Sequence, residues 1–120
     1  MSKKLVNAAT EFRDGISELE GLLIGKLDGT KLWSDTIRDL DHEFILTSTS
    51  VMLKAAKKLS KAIDKGAIDT IEVEIDGGYA TVVALKDAIV IGFYGEDAKT
   101  QQAIINRNLR IFATKIAKLV

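Results

Sequence analysis

Few residues in this chain could do chemistry, and they are scattered along it. His42 is the only histidine and there is no cysteine. Thiolate catalysis, disulfides and the usual cysteine-based zinc sets are therefore excluded. A histidine works as a base or a ligand when a nucleophile or a second ligand stands beside it, and the stretch "LDHEF" offers neither. Next to Asp41, which can cap a helix, His42 is read as surface or capping chemistry. Glu72 and Glu74 form a carboxylate pair at strand spacing, the raw material of general acid–base work. No partner acid is evident, so they are read as the solvated face of a strand. Gly77-Gly78 is not followed by Gly-Lys-Ser/Thr and opens no helix, which excludes a phosphate loop. Trp33, with Lys31 and Tyr79, is read as packing rather than as a stacking platform. Nothing marks Arg107 or Arg110 as an arginine finger. An enzyme is thus the weakest class, and neither cofactor nor metal is expected.

Composition narrows the classes further. The chain has 120 residues, enough for one domain (1–120) around one core, and 47% are hydrophobic with 28% charged, a globular balance. Lys plus Arg equals Asp plus Glu at 17 each. A nucleic-acid binder needs a basic excess to neutralise phosphates, so that partner is not expected. The opening "MSKKLVNAATEF" turns polar too early for a secretory signal. No apolar run approaches the ~20 residues of a membrane span, so stable membrane insertion is not expected and the cytoplasm is.

The elements that must position these residues follow from periodicity. Leu5, Ala9, Phe12, Ile16 and Leu19 recur at steps of four and three, giving a first helix that Gly21 breaks. "GLLIGKLDGTKLWSD" then reads as a hairpin around Asp28-Gly29 with a two-residue loop, which pairs Gly25 with Leu32 and Ile24 with Trp33. Leu22, Leu23 and Ile24 are apolar on both faces, as a central strand requires. A second helix begins near Asp39 or Asp41 and ends at Gly66, with Ile45, Thr49, Met52, Ala56, Leu59 and Ile63 as its core stripe. Three short-turned strands follow. "TIEVEID" alternates, "YATVVALK" is next, and "AIVIGFYG" is again apolar on both faces. A last helix runs from about Asp97, with Ile105, Leu109, Phe112, Ile116 and Leu119 inward.

This order, with the opening hairpin after helix one and "TIEVEIDGGYATVVALKDAIVIGFY" before the last helix, resembles the roadblock/dynein light chain family over nearly the whole chain. The resemblance implies an α+β fold: a three-layer α/β/α, profilin-like domain, α-β-β-α-β-β-β-α, with a five-stranded antiparallel sheet ordered 2-1-5-4-3. It implies homo- or heterodimers that bind Ras-like small GTPases, as scaffolds, as regulators of hydrolysis or exchange, or as motor-complex light chains. It carries no shared catalytic residue.

Two features exceed ordinary packing. Helix two is apolar beyond its core stripe, with Phe44, Val51, Ala55 and Ala62 on one flank, Leu46 and Leu53 on the other, and a "TSTS" run between that lets another helix approach. This reads either as a wider core contact within the monomer or as a helix–helix contact across a dimer. Strand three has no proline, lysine or bulge to blunt an edge. A dimer through Ser48, Val51, Ala55, Glu72, Val73 and Glu74 accounts for both, and is the family's way of dimerising. Helix two also carries Lys54, Lys57, Lys58, Lys61 and Lys65, a basic stripe that reads first as a solvated face and otherwise as a surface for an acidic partner or an anionic membrane. Leu46, Lys54, Lys57, Lys58 and Lys61 are the expected GTPase contacts. The function expected is a dimeric scaffold that binds a small Ras-like GTPase and alters its nucleotide cycle or localisation. The alternatives are a profilin-like ligand- or peptide-binding sensory module, or a structural light chain.

Overall fold

The computed structural model describes residues 2–120. The elements are α1 (Lys3–Gly15), β1 (Leu19–Lys26), β2 (Lys31–Thr36), α2 (His42–Ala62), β3 (Thr70–Ile75), β4 (Gly78–Ala84), β5 (Ala88–Gly95), a 3₁₀ segment (Glu96–Gln101) and α3 (Gln102–Ile116). The five strands form one sheet in the order β2-β1-β5-β4-β3, antiparallel throughout. The two strands with apolar residues on both faces are interior, as expected. Leu22 and Ile24 of β1 and Val90 of β5 pack with Leu5 and Ala9 of α1 and with Ile105, Leu109 and Ile116 of α3. Leu23, Ile89 and Ile91, one residue out of phase, pack with Leu46 and Leu53 of α2. Helices therefore cover both faces of a shared sheet, in three layers.

Several boundaries differ from those expected, each for a local reason. The first helix stops at Gly15, and Leu19 opens β1 fully buried. Its step of three from Ile16 mimicked one more helical turn. The first hairpin has a three-residue loop. Lys26 N–H donates to Thr30 O and Gly29 N–H to Lys26 O, only Gly29 takes a positive φ (94°), and Gly25 pairs with Lys31. Leu32 becomes the extra residue of a bulge, while Ile24 still faces Trp33. Asp28 does not supply a left-handed residue. Its carboxylate accepts from Thr30 N–H at 2.9 Å, and that bond holds its pKa below the usual carboxylate value.

The largest correction concerns the phase of α2. Its buried residues are Leu46, Thr49, Ser50 and Leu53, whereas Leu59 and Ile63 of the expected stripe are 61% and 53% exposed. The physical cause is hydrogen bonding. Thr49 Oγ1 donates to Ile45 O at 2.7 Å, and Ser50 Oγ donates to Leu27 O in the loop after β1. Paired in this way, two hydroxyls can be buried at little cost, and the helix turns Leu46 and Leu53 inward. At its N-terminus Asp41 accepts from Phe44 N–H at 3.0 Å. At its C-terminus Lys65 N–H donates to Ser60 O and Asp64 N–H to Lys61 O, with Asp64 at φ 57°. That is a Schellman closure with Asp64 in the usual glycine place, so the helix ends before Gly66. Likewise α3 starts at Gln102, because the expected first turn at Asp97 is 3₁₀.

Candidate functional site: the open face of α2 and the edge of β3

Once Leu46 and Leu53 face the sheet, the opposite side of α2 is an apolar stripe with nothing over it. Phe44, Ser48, Val51, Ala55 and Leu59 follow one another at i, i+4, i+7, i+11 and i+15, which is one side of a helix, and all are exposed. Phe44 and Val51 are 68% and 61% exposed. Leu46, expected among the partner contacts, is fully buried under the helix and offers no surface. Lys54, Lys57, Lys58 and Lys61 are all exposed along one flank of the stripe. Lys57 and Lys61 also line a groove of about 590 Å³ with Lys86 of the β4–β5 turn, at the end of the helix.

Glu72, Val73 and Glu74 lie on β3, which pairs only with β4 and is the sheet's edge. The register from Thr70–Val83 to Ile75–Gly78 runs without a shift. Ala84 N–H donates to Asp69 O, so the odd-numbered residues of β3 are those bonded to β4. The backbone groups of Val73 therefore serve the chain itself, and the free ladder groups belong to Thr70, Glu72 and Glu74.

The side chains of the two glutamates are not simply solvated, as the sequence reading held. Thr81 Oγ1 donates to Asn106 Oδ1 at 2.6 Å, and the Asn106 amide donates to Glu72 Oε1. Thr81 and Asn106 are buried. Lys99 Nζ stands 3.6 Å from Glu74 Oε2 and donates to Ile75 O. Beneath the same helix Tyr94 stacks on Tyr79 with ring centroids 5.7 Å apart, and its hydroxyl is buried without a partner. Burial, then the neighbouring Tyr79 and Glu72, raise its pKa to about 12. Asn106 could have been noticed as a polar residue within the apolar stripe of α3. Its link to strand three is a tertiary contact that periodicity does not carry.

His42 has partners that the sequence reading missed. Ser34 Oγ lies 2.7 Å from Nδ1 and Thr36 Oγ1 lies 2.8 Å from Nε2. Ser34 and Thr36 sit two apart on β2, hence on one face. Thr36 spends its own proton on Arg38 O at 2.6 Å, so it accepts from Nε2–H, and Ser34 can donate to Nδ1. A serine beside a histidine invites comparison with a catalytic dyad. The far nitrogen here meets a hydroxyl rather than the carboxylate that would stabilise an imidazolium. The arrangement braces the start of α2 against β2. Among the described residues no His, Cys, Asp and Glu cluster could hold a metal ion, and no helix is long and apolar enough to cross a membrane.

The three-layer sheet with this strand order is a roadblock, profilin-like fold. Solved structures agree with it across the chain. The Roadblock/LC7 domain from Streptomyces avermitilis superposes with a TM-score of 0.80 at 11% identity, covering 92% of each chain. The gliding protein MglB from Thermus thermophilus superposes at 0.83 with 12% identity, over 100% of this chain and 95% of that one. LokiProfilin1, solved in complex with rabbit actin, superposes at 0.70 with 16% identity, over 100% and 98%. No protein-family model and no curated protein matches the chain.

Proposed function

We propose that this chain is a dimeric roadblock-type scaffold of the cytoplasm that binds a small Ras-like GTPase and modulates its nucleotide cycle or localisation. The observation that carries this reading is the stripe Phe44–Val51–Ala55–Leu59, apolar, uncovered and bordered by lysines, on a helix whose other side already fills the core. An uncovered apolar stripe is a surface awaiting another protein. The roadblock fold supplies the class of partner, through what its resemblance implies. In this dimer, Ser48, Val51, Ala55, Glu72, Val73 and Glu74 meet their counterparts, and the ladder groups of Glu72 and Glu74 extend the sheet across a two-fold axis. Lys54, Lys57, Lys58 and Lys61 steer an acidic GTPase surface onto the platform. The action is conformational, with no catalytic group contributed.

Isolation from the native cell, with identification of the bound protein, is the direct test, and a small GTPase is the expected result. Lys54→Glu with Lys58→Glu should then slow association about tenfold at low salt, with the fold unchanged. The slowing should fade as the Debye length falls from ~30 Å to ~10 Å between 0.01 and 0.1 M salt. Lys115→Glu, in the last turn of α3, with Lys118→Glu in the turn that follows it, serves as the control. Loss of binding in the control, with none in the lysines of α2, would place the platform on the wrong face.

A further inference from the structure

The self-pairing of β3 carries an electrostatic difficulty. An antiparallel pair centred on Val73 sets Ile71 opposite the partner's Ile75 and Val73 opposite its copy, a matched apolar row on the α2 side of the sheet. On the other side the same register sets Glu72 opposite the partner's Glu74, twice, and like charges directly opposite destabilise a sheet. A chain that dimerises this way needs cations above that row.

The structure has them. A groove of about 890 Å³ lies between α3 and the β3 edge, lined by Glu72, Lys99, Gln102, Asn106, Arg107 and Arg110 among others. The ion pairs found are Arg13–Asp35 and Lys99–Glu74, so Arg107 and Arg110 form no ion pair among the described residues. They stand one and four residues beyond Asn106, and Asn106 bonds Glu72 of the edge strand. Both line the groove with Glu72 and so stand at the β3 edge. Asn106 draws the Glu72 carboxylate under α3, whereas Glu74 is 70% exposed and stands 3.6 Å from Lys99 of its own chain, a contact that the partner's Glu74 would share with the arginines of the groove.

We propose that Arg107 and Arg110 form a cationic clamp that receives the Glu74 carboxylate of a second copy of this chain, so that each groove is completed by its partner. In the Val73-centred register the partner's Glu74 lies beside Glu72, one strand spacing of ~4.8 Å beyond the groove's floor. Each protomer contributes Lys99, Arg107 and Arg110 against Glu72 and Glu74, which reverses the sign of the row from repulsive to attractive. The clamp rests on the dimer reading above, and sharpens it by giving the interface a charge code.

The test is a charge exchange read by sedimentation equilibrium and native mass spectrometry. Arg107→Glu with Arg110→Glu should dimerise at least tenfold more weakly than the wild type, with an affinity that rises rather than falls with salt. Glu74→Lys should behave in the same way, because it puts a lysine into an arginine-lined groove. Mixed together, the two variants should form heterodimers beyond the statistical proportion, since both junctions are then of opposite sign. Arg107→Gln with Arg110→Gln, which adds no repulsion, should give an intermediate affinity with little salt dependence. If the wild type is a dimer and the arginine variants match it in affinity and salt response, the clamp is wrong while the dimer stands. A statistical mixture would likewise overturn the clamp alone. A wild type that stays monomeric at tens of micromolar would overturn both.

Discussion

The two edges of this sheet are built in opposite ways. The β2 edge carries Lys31, a bulge at Leu32, an ion pair from Asp35 to Arg13 of α1, and the brace from Ser34 and Thr36 to His42 of α2. Each of these devices keeps a strand from recruiting another. The β3 edge has no counterpart to the bulge: its register with β4 is unbroken, and its free ladder groups alternate regularly at Thr70, Glu72 and Glu74. Its side chains are tied upward to α3 and to the 3₁₀ segment, through Asn106 and Lys99, and so leave the backbone bare. One edge of the sheet is guarded and the other is open, and the proposed dimer would continue the sheet at the open one.

The largest expected effect comes from closing the open edge. Glu74→Pro removes an outward donor while sparing the Val73 N–H that β4 uses, and an edge strand tolerates proline there. By symmetry each substitution counts twice. Two hydrogen bonds at about 1–1.5 kcal/mol each weaken the dimer by about 2–3 kcal/mol, on the order of a hundredfold. Light scattering across a dilution series measures it. A dimer that survives the change unaltered would mean that β3 is not the seam.

The converse experiment undoes a guard. His42→Ala leaves Ser34 and Thr36 without the ring and should lower unfolding stability by about 2 kcal/mol, at roughly 1 kcal/mol per lost hydrogen bond. Urea unfolding at fixed protein concentration reads this directly, because dimerisation otherwise shifts the apparent stability. The affinity of the dimer should not change. A loss below about 0.5 kcal/mol would show that the brace is ornamental and that the bulge alone protects β2.

How far this contrast could be read from the residues depends on the range of the interaction concerned. The central places of β1 and β5 were legible, because runs such as Leu22–Leu23–Ile24 suit a strand only when both faces are covered. That β3 lacks a guard was legible, whereas its place at the sheet edge came from the family resemblance. The α3 stripe held as well, with Ile105, Leu109, Phe112 and Ile116 all buried. The phase of α2 was not legible. Thr49 was expected inward and is, but hydropathy counts Ser50 against burial, and the Leu27 carbonyl that makes its burial cheap belongs to a distant loop. One misplaced stripe then put Leu46 on the surface and Leu59 in the core. The loop of the first hairpin was ambiguous in principle, since Asp-Gly serves a two-residue turn or a three-residue turn with a glycine bulge. The candidate site divides in the same way. Helical spacing grouped the lysines on one flank and set Ser48, Val51 and Ala55 outside the expected core stripe, but it put Leu59, which shares their exposed side, into the core. The partners of Glu72, Arg107 and His42 arise only where separate elements meet.

The smallest expected effect belongs to the ion pair of the guarded edge, and its size is set by two opposed terms. Arg13 Nε lies 3.3 Å from Asp35 Oδ2, with the arginine side chain 12% exposed and the aspartate 53%. The contact is not a well-formed hydrogen bond, since Nε is buried and finds no partner of proper geometry. Half-exposed carboxylates are screened by water, and pairs of this kind contribute at most about 1 kcal/mol. Against that, Asp35→Asn leaves a mostly buried guanidinium without its counter-charge, which raises the loss above that of a fully exposed pair. The balance puts the expected loss at about 0.5–1 kcal/mol in low salt, falling as the Debye length shrinks to ~3 Å near 1 M. The dimer should again be unaffected. A loss that equals or exceeds that of His42→Ala and persists in high salt would invert the ranking. Helix α1, rather than the start of α2, would then be the principal guard of the β2 edge.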